Sequence, residues 1–189
     1  MKKLSVLLIL FLTLLGCSKK QESIMLVCDG IETTTGSENG KVFEPETQKV
    51  KRTFRFFQDE RTVKKGYLNF EKDNPQKFKE ERKVVWIFSV DNTPEVFEED
   101  TRTFLNNQTD SKFGNVSVSD TELFSSIRDT VDYKDDKKLG SWKDYFVTIN
   151  RISGDFHEQQ LENYKKGTSF RVLTEGNCKK VEKKFWWKN

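Results

Sequence analysis

The sequence predicts a mostly β fold: a single antiparallel sheet domain, built as a small barrel or curved sheet, with one or two short helices. Three observations carry that expectation. Roughly eight short segments alternate apolar and polar residues at hairpin spacing. Clusters of Gly, Asn, Asp, Ser and Pro punctuate them. No long helical period and no fixed repeat runs through the 189 residues, a length that suits one domain. The 33 Lys and Arg balance 30 Asp and Glu. So even a balance lacks the basic field of a dedicated nucleic-acid binder, and no nucleic-acid partner is expected.

Residues 1–16 begin with Lys2 and Lys3 and continue as an apolar run from Leu4 to Leu15. The run is too short for a hydrocarbon core that needs about 20 residues. A basic start, a short apolar middle and a small residue before the cut make up an export signal. At its end, Leu14-Leu15-Gly16-Cys17 followed by the polar Ser18 to Ser23 resembles the lipobox of bacterial lipoproteins. That resemblance implies cleavage before Cys17, diacylation of its thiol and a lipid-anchored protein of the bacterial envelope. The rival is an ordinary secretory signal with an incidental cysteine. Ser18 is not the Asp that usually retains such proteins at the inner membrane, so an outer-membrane location is expected if the cell has one. Loss of Lys2 and Lys3 would leave 31 basic against 30 acidic residues.

With Cys17 given to lipid by that resemblance, Cys28 and Cys178 remain. An even pair in an oxidising compartment is most simply a disulfide, the alternative being two buried thiols. The bond would bring the first and last strands together, as a closed or nearly closed sheet requires.

Residues 17–23 are expected as a tether and 24–189 as the β domain. Ile24 to Cys28 reads as a strand ended by Asp29-Gly30, and Thr33 to Gly40 has the composition of a loop. Val50, Phe54 and Phe56 alternate with polar residues, Asp59-Glu60-Arg61 is expected to turn, and Thr62 to Phe70 to return. Asp73-Asn74-Pro75 breaks the chain before Val84 to Val90, an apolar run expected to be covered on both faces. Thr93-Pro94 suits a helix start, whereas Thr101 and Thr103 favour a strand, so residues 94–106 stay open between the two. Val116 and Val118 form a short strand, and Ser119 with Glu122 has capping-box spacing for a helical turn. Tyr145, Val147 and Ile149 lead through Ser153-Gly154-Asp155 to Phe156 as the clearest hairpin. Residues 156–166 suit either a strand or a short helix. Phe170 to Thr174 is a strand, with a turn at Glu175-Gly176-Asn177.

Scattered features are similar to a loose class of uncharacterised β-rich envelope lipoproteins: Cys28-Asp29-Gly30, Val118 to Glu122, Ile149 to Gly154, and Gly176 to Cys178. The likeness implies a β fold and supplies no catalytic residue. His157, the single histidine, lacks the second histidine of a zinc HExxH pair, so no metal, catalytic residue or cofactor is expected. Trp186 and Trp187, set among lysines, either close the sheet or contact a glycan or headgroup. The expected role is a non-catalytic binding or envelope-associated module, with an unknown protein or glycan partner and the membrane reached through lipid. Its rival is a barrel carrying a small apolar ligand in a cavity lined by phenylalanines.

Overall fold

Alternating residues place side chains on opposite faces of a strand, and this chain uses that period almost throughout. A computed structural model describes residues 22–69, 77–91, 93–105, 108–133, 140–164 and 167–181. Eleven strands follow in order: β1 (Ser23–Glu38), β2 (Lys41–Val42), β3 (Glu46–Asn69), β4 (Lys77–Val90), β5 (Val96–Phe97), β6 (Glu99–Leu105), β7 (Gln108–Val118), β8 (Glu122–Tyr133), β9 (Ser141–Asn150), β10 (Asp155–Tyr164) and β11 (Thr168–Lys180).

They form one sheet in the order β2-β1-β11-β10-β9-β8-β7-β6-β3-β4-β5, and β1 also pairs with β3. That extra pairing closes the sheet into a ring. Residues 54–57 of β3 lie between β1 and β4, and residues 65–67 lie between β4 and β6. β1 and β6 therefore share one edge of β3, opposite β4. All pairings are antiparallel except β3 with β6, which is parallel.

The mostly β sheet is as expected, but there is no helix among the described residues. Of residues 94–106, Val96–Phe97 and Glu99–Leu105 form β5 and β6, and residues 156–164 belong to β10, while residues 106, 165 and 166 lie outside the described residues. Ser119 and Glu122 make a hairpin turn instead of a capping box: Ser119 N donates to Glu122 O, and Glu122 N to Ser119 Oγ, both at 2.9 Å. The turns expected at residues 59–61 and 175–177 do not occur, because β3 and β11 run straight through them. β1 likewise continues past Asp29-Gly30 and past Thr33 to Glu38. There Asn39 and Gly40, with φ of 51° and 80°, form the two-residue hairpin that positive φ at both positions permits.

The ring's inward face holds two opposed environments. Leu26, Phe54, Phe56, Phe88, Val90, Leu123, Val147, Ile149 and Phe156 form an apolar core with both cysteines. Its rings pack on one another, Phe56 on Phe88 at 5.0 Å and Phe54 on Phe156 at 5.5 Å between centroids. Gly30 and Gly176 face each other across β1 and β11, and a Cβ on either would meet the Phe156 ring at 2.8 Å. These glycines make room for an aromatic ring. Cys28 and Cys178 are direct cross-strand partners joined by a disulfide that spans 150 residues of sequence.

A smaller core, Val63, Val85 and Ile87 with Phe57 and Phe97, lies on the opposite face of the β3–β4 hairpin. Residues 95–98 are strapped over it by Arg61 to Glu95 at 2.8 Å and by Lys65 and Lys83 to Glu98. Residues 85–90 of β4 are thus covered on both faces as expected, while Val84 is exposed. The charges of Lys79 to Arg82 are exposed too, and they line the free edge of β4, where charge discourages pairing with another chain.

Candidate functional site

Successive inward rows of side chains change from apolar to charged along the strands. One row reads Leu123, Ile149, Phe156, Gly176, Gly30, Val50 across β8, β9, β10, β11, β1 and β3. The next reads Ser125, Val147, Glu158, Thr174, Glu32, Gln48. Beyond it come Ile127, Tyr145, Gln160, Val172, Thr34, and then Lys112, Asp129, Lys143, Glu162, Phe170 starting from β7. The polar rows bound an open cavity of about 500 Å³.

Its floor is a hydrogen-bonded charge cluster. Arg52 reaches from β3 between two carboxylates, its Nε donating to Glu158 Oε2 at 3.0 Å and its Nη2 to Glu32 Oε2. Tyr145 OH donates to the other Glu158 oxygen at 2.9 Å, and Gln48 Nε2 to Glu32 Oε1 at 2.6 Å. Glu32 and Glu158 are only 9% and 7% exposed, so these partners are what makes their burial tolerable. Burial works against the Arg52 charge, but Glu158 and Glu32 outweigh it and hold the guanidinium above its ordinary range. Burial, reinforced by Glu158, pushes the Tyr145 hydroxyl far up, which keeps it a neutral donor.

Nearer the mouth, Lys143 Nζ meets Glu162 Oε1 at 2.8 Å, and Gln160 and Tyr164 also donate to Glu162. Burial opposes the Glu162 charge, and these three donors overcome it and lower the carboxyl below its usual range. Phe88, Ile127 and Val96 give the wall apolar patches, and Asp91, Glu95, Lys112 and Asp129 complete it.

The phenylalanines expected to line an apolar cavity are spent on packing one another, and of the four in the core only Phe88 reaches this one. A second hollow, a groove of about 630 Å³ on the sheet, includes the outward-facing Phe113, Phe146 and Leu161 beside the Arg128–Asp144 ion pair. His157 is also on the outer face, stacked on Phe146 at 5.8 Å with Nδ1 3.1 Å from Glu175 Oε1. No group of three His, Cys, Asp or Glu side chains placed to hold a metal occurs among the described residues.

The structure joins Cys28 to Cys178, while Cys17, Trp186 and Trp187 lie outside the described residues. Sequence reasoning missed Glu32, Arg52, Tyr145 and Glu158. A signal was present in phase: Arg52 shares the parity of Phe54 and Phe56, Glu158 that of Phe156, and Glu32 that of Leu26 and Cys28. A charge on the apolar parity of a strand marks a buried polar site. Comparison with protein-family models, with characterised proteins and with solved structures finds no match.

Proposed function

We propose that this chain is a lipid-anchored protein of the bacterial envelope, tethered through Cys17, whose barrel is a non-catalytic module that binds a small polar ligand in its cavity. The observation that carries the binding reading is the open cavity of about 500 Å³ floored by a buried, hydrogen-bonded charge cluster. Concave sites with a few fixed polar groups are the usual form of small-molecule sites. A mouth ringed by charged side chains favours a polar ligand over an apolar one. The Cys28–Cys178 bond supports an oxidising compartment outside the cytoplasm. Two acyl chains on Cys17 would suffice for stable anchoring, where one is marginal.

The test of binding is native mass spectrometry of the protein purified from the envelope, beside an Ile127→Trp variant that fills the cavity. The expected result is a small-molecule adduct on the natural chain that is lost in the variant. Bare protein in both would overturn the binding reading. For the anchor, cells are labelled with a fatty-acid analogue. Label on the natural protein and none on Cys17→Ser is expected, and equal labelling would remove the lipid assignment.

A further inference from the structure

We infer that the outer face of β3, β1 and β11, at the end where β1 begins, rests on the anionic headgroups of the membrane that holds the lipid, an inference that builds on the lipid-anchor reading above. Strand alternation sets the face. With Leu26, Cys28, Phe54 and Phe56 in the core, Met25, Asp29 and Ile31 of β1 point outward beside their partners Arg55, Lys51 and Lys49 on β3, and Val27 points outward beside Lys179 on β11. Lys49, Lys51, Arg55 and Lys179 are all exposed, and none has an ion pair among the described residues. The acids on this face are Asp29 and Glu175, and Glu175 is engaged with His157. By contrast, Arg61, Lys65, Arg82, Lys83 and Arg128 each meet a carboxylate. Unpaired cations gathered on one face leave a positive field that a layer of phosphate oxygens answers.

The second ground is the position of this face relative to the anchor. Val181 N donates to Met25 O at 2.9 Å, so β1 begins and β11 ends side by side, next to Arg55 and Lys179. Cys17 lies six residues before Ser23, a reach of at most about 21 Å, which matches the roughly 20 Å along β3 from Arg55 to Lys49. A tether of that length brings the whole face within reach of the membrane surface but leaves the orientation of the barrel free, and the cations are what fix it. The sequence adds Lys19 and Lys20 to the tether and Lys183, Lys184 and Lys188 after β11, against Glu22 and Glu182. Trp186 and Trp187 stand among the last of these lysines, and tryptophan gathers at headgroup level. The polar cavity stays open in this arrangement, because its mouth, at the row of Glu162, Phe170 and Gly36, is at the far end of β1.

The experiment is lysine acetylation of the full chain purified from the envelope and inserted from outside into preformed vesicles, read lysine by lysine by mass spectrometry. One set of vesicles is phosphatidylcholine alone and the other carries phosphatidylglycerol as well. Flotation with the neutral vesicles reports the anchor by itself. In the anionic vesicles Lys49, Lys51 and Lys179 should label about fivefold more slowly, the factor that one Lys or Arg near such a surface is worth, while the exposed Lys79 and Lys112 keep their rates. Lys51→Gln with Arg55→Gln removes half of the patch, and Lys49 and Lys179 should then label as fast as in neutral vesicles. Salt at about 1 M should have the same effect on the natural chain. Protein that floats with neutral vesicles but labels equally in both compositions keeps its anchor and overturns the inference. Protein that floats only with the anionic vesicles loses the anchor and still supports the basic face, and protein that floats with neither loses both. Protection in whole envelopes without protection in anionic vesicles would give the face to another anionic partner and overturn the headgroup assignment.

Discussion

Single residues decide how the two halves of the interior coexist. Gly176 is the clearest case, because a Cβ there would strike the backbone oxygen of Asp29 as well as the Phe156 ring. Gly176→Ala is expected to lower stability by about 1–3 kcal/mol, the usual cost of overpacking, as read by chemical denaturation. Tyr145 makes the complementary case for the polar half. Its hydroxyl is held protonated by burial first and by Glu158 next, so its folded value lies above the unfolded one. The stability this contributes is complete below the unfolded value near pH 10 and is lost as pH rises beyond it. Alkaline denaturation should therefore show a falling limb above about pH 10 that is shallower in Tyr145→Phe. At neutral pH the same variant should cost about 1–3 kcal/mol, since Glu158 loses a donor. The glycines also explain two misread turns: Asp29-Gly30 and Gly176-Asn177 have turn composition, but the missing side chains serve a ring from another strand.

Among the elements, β1 has the largest closing role, since it is paired with β11 on one edge and β3 on the other. The disulfide locks the first of these seams. Replacing both partners, Cys28→Ser with Cys178→Ser, should cost about 2–5 kcal/mol, and peptide maps of the natural protein should show the linked pair only without reductant. Strands with clean alternation were legible from sequence, above all the β9–β10 hairpin. Its turn is set by Asn150 Oδ1 accepting from the Ile152 and Ser153 amides at 2.9 and 3.0 Å. Charged strands were not legible: residues 59–61 and 77–83 lack the apolar face that identifies a strand alone. Their order comes from the β3–β4 ladder, which pairs residues 59–61 with 83–85 and residues 61–67 with 77–83. The helical alternatives failed for a related reason, because local capping chemistry at Ser119 serves a hairpin equally well.

At the scale of the whole molecule, the closed sheet encloses more inward surface than apolar residues fill. A chain with 34% hydrophobic residues packs four phenylalanines at one end of the ring and leaves a charged cavity at the other. The class of fold was readable because period-two patterning and the cysteine spacing both imply strands whose ends meet. The cavity was not, because Arg52, Glu32 and Glu158 are scattered through the sequence and converge only when β1, β3 and β10 are drawn around one ring. Methyl and aromatic NMR spectra of the protein purified from the envelope, compared before and after its small-molecule adduct is stripped, test this most directly. Shifts that include Phe88 and Val96, which line the cavity and not the outer groove, with Phe113 and Leu161 unmoved, are the predicted outcome. Shifts confined to Phe113, Phe146 and Leu161 would move the site to the outer groove and contradict a functional cavity inside the barrel.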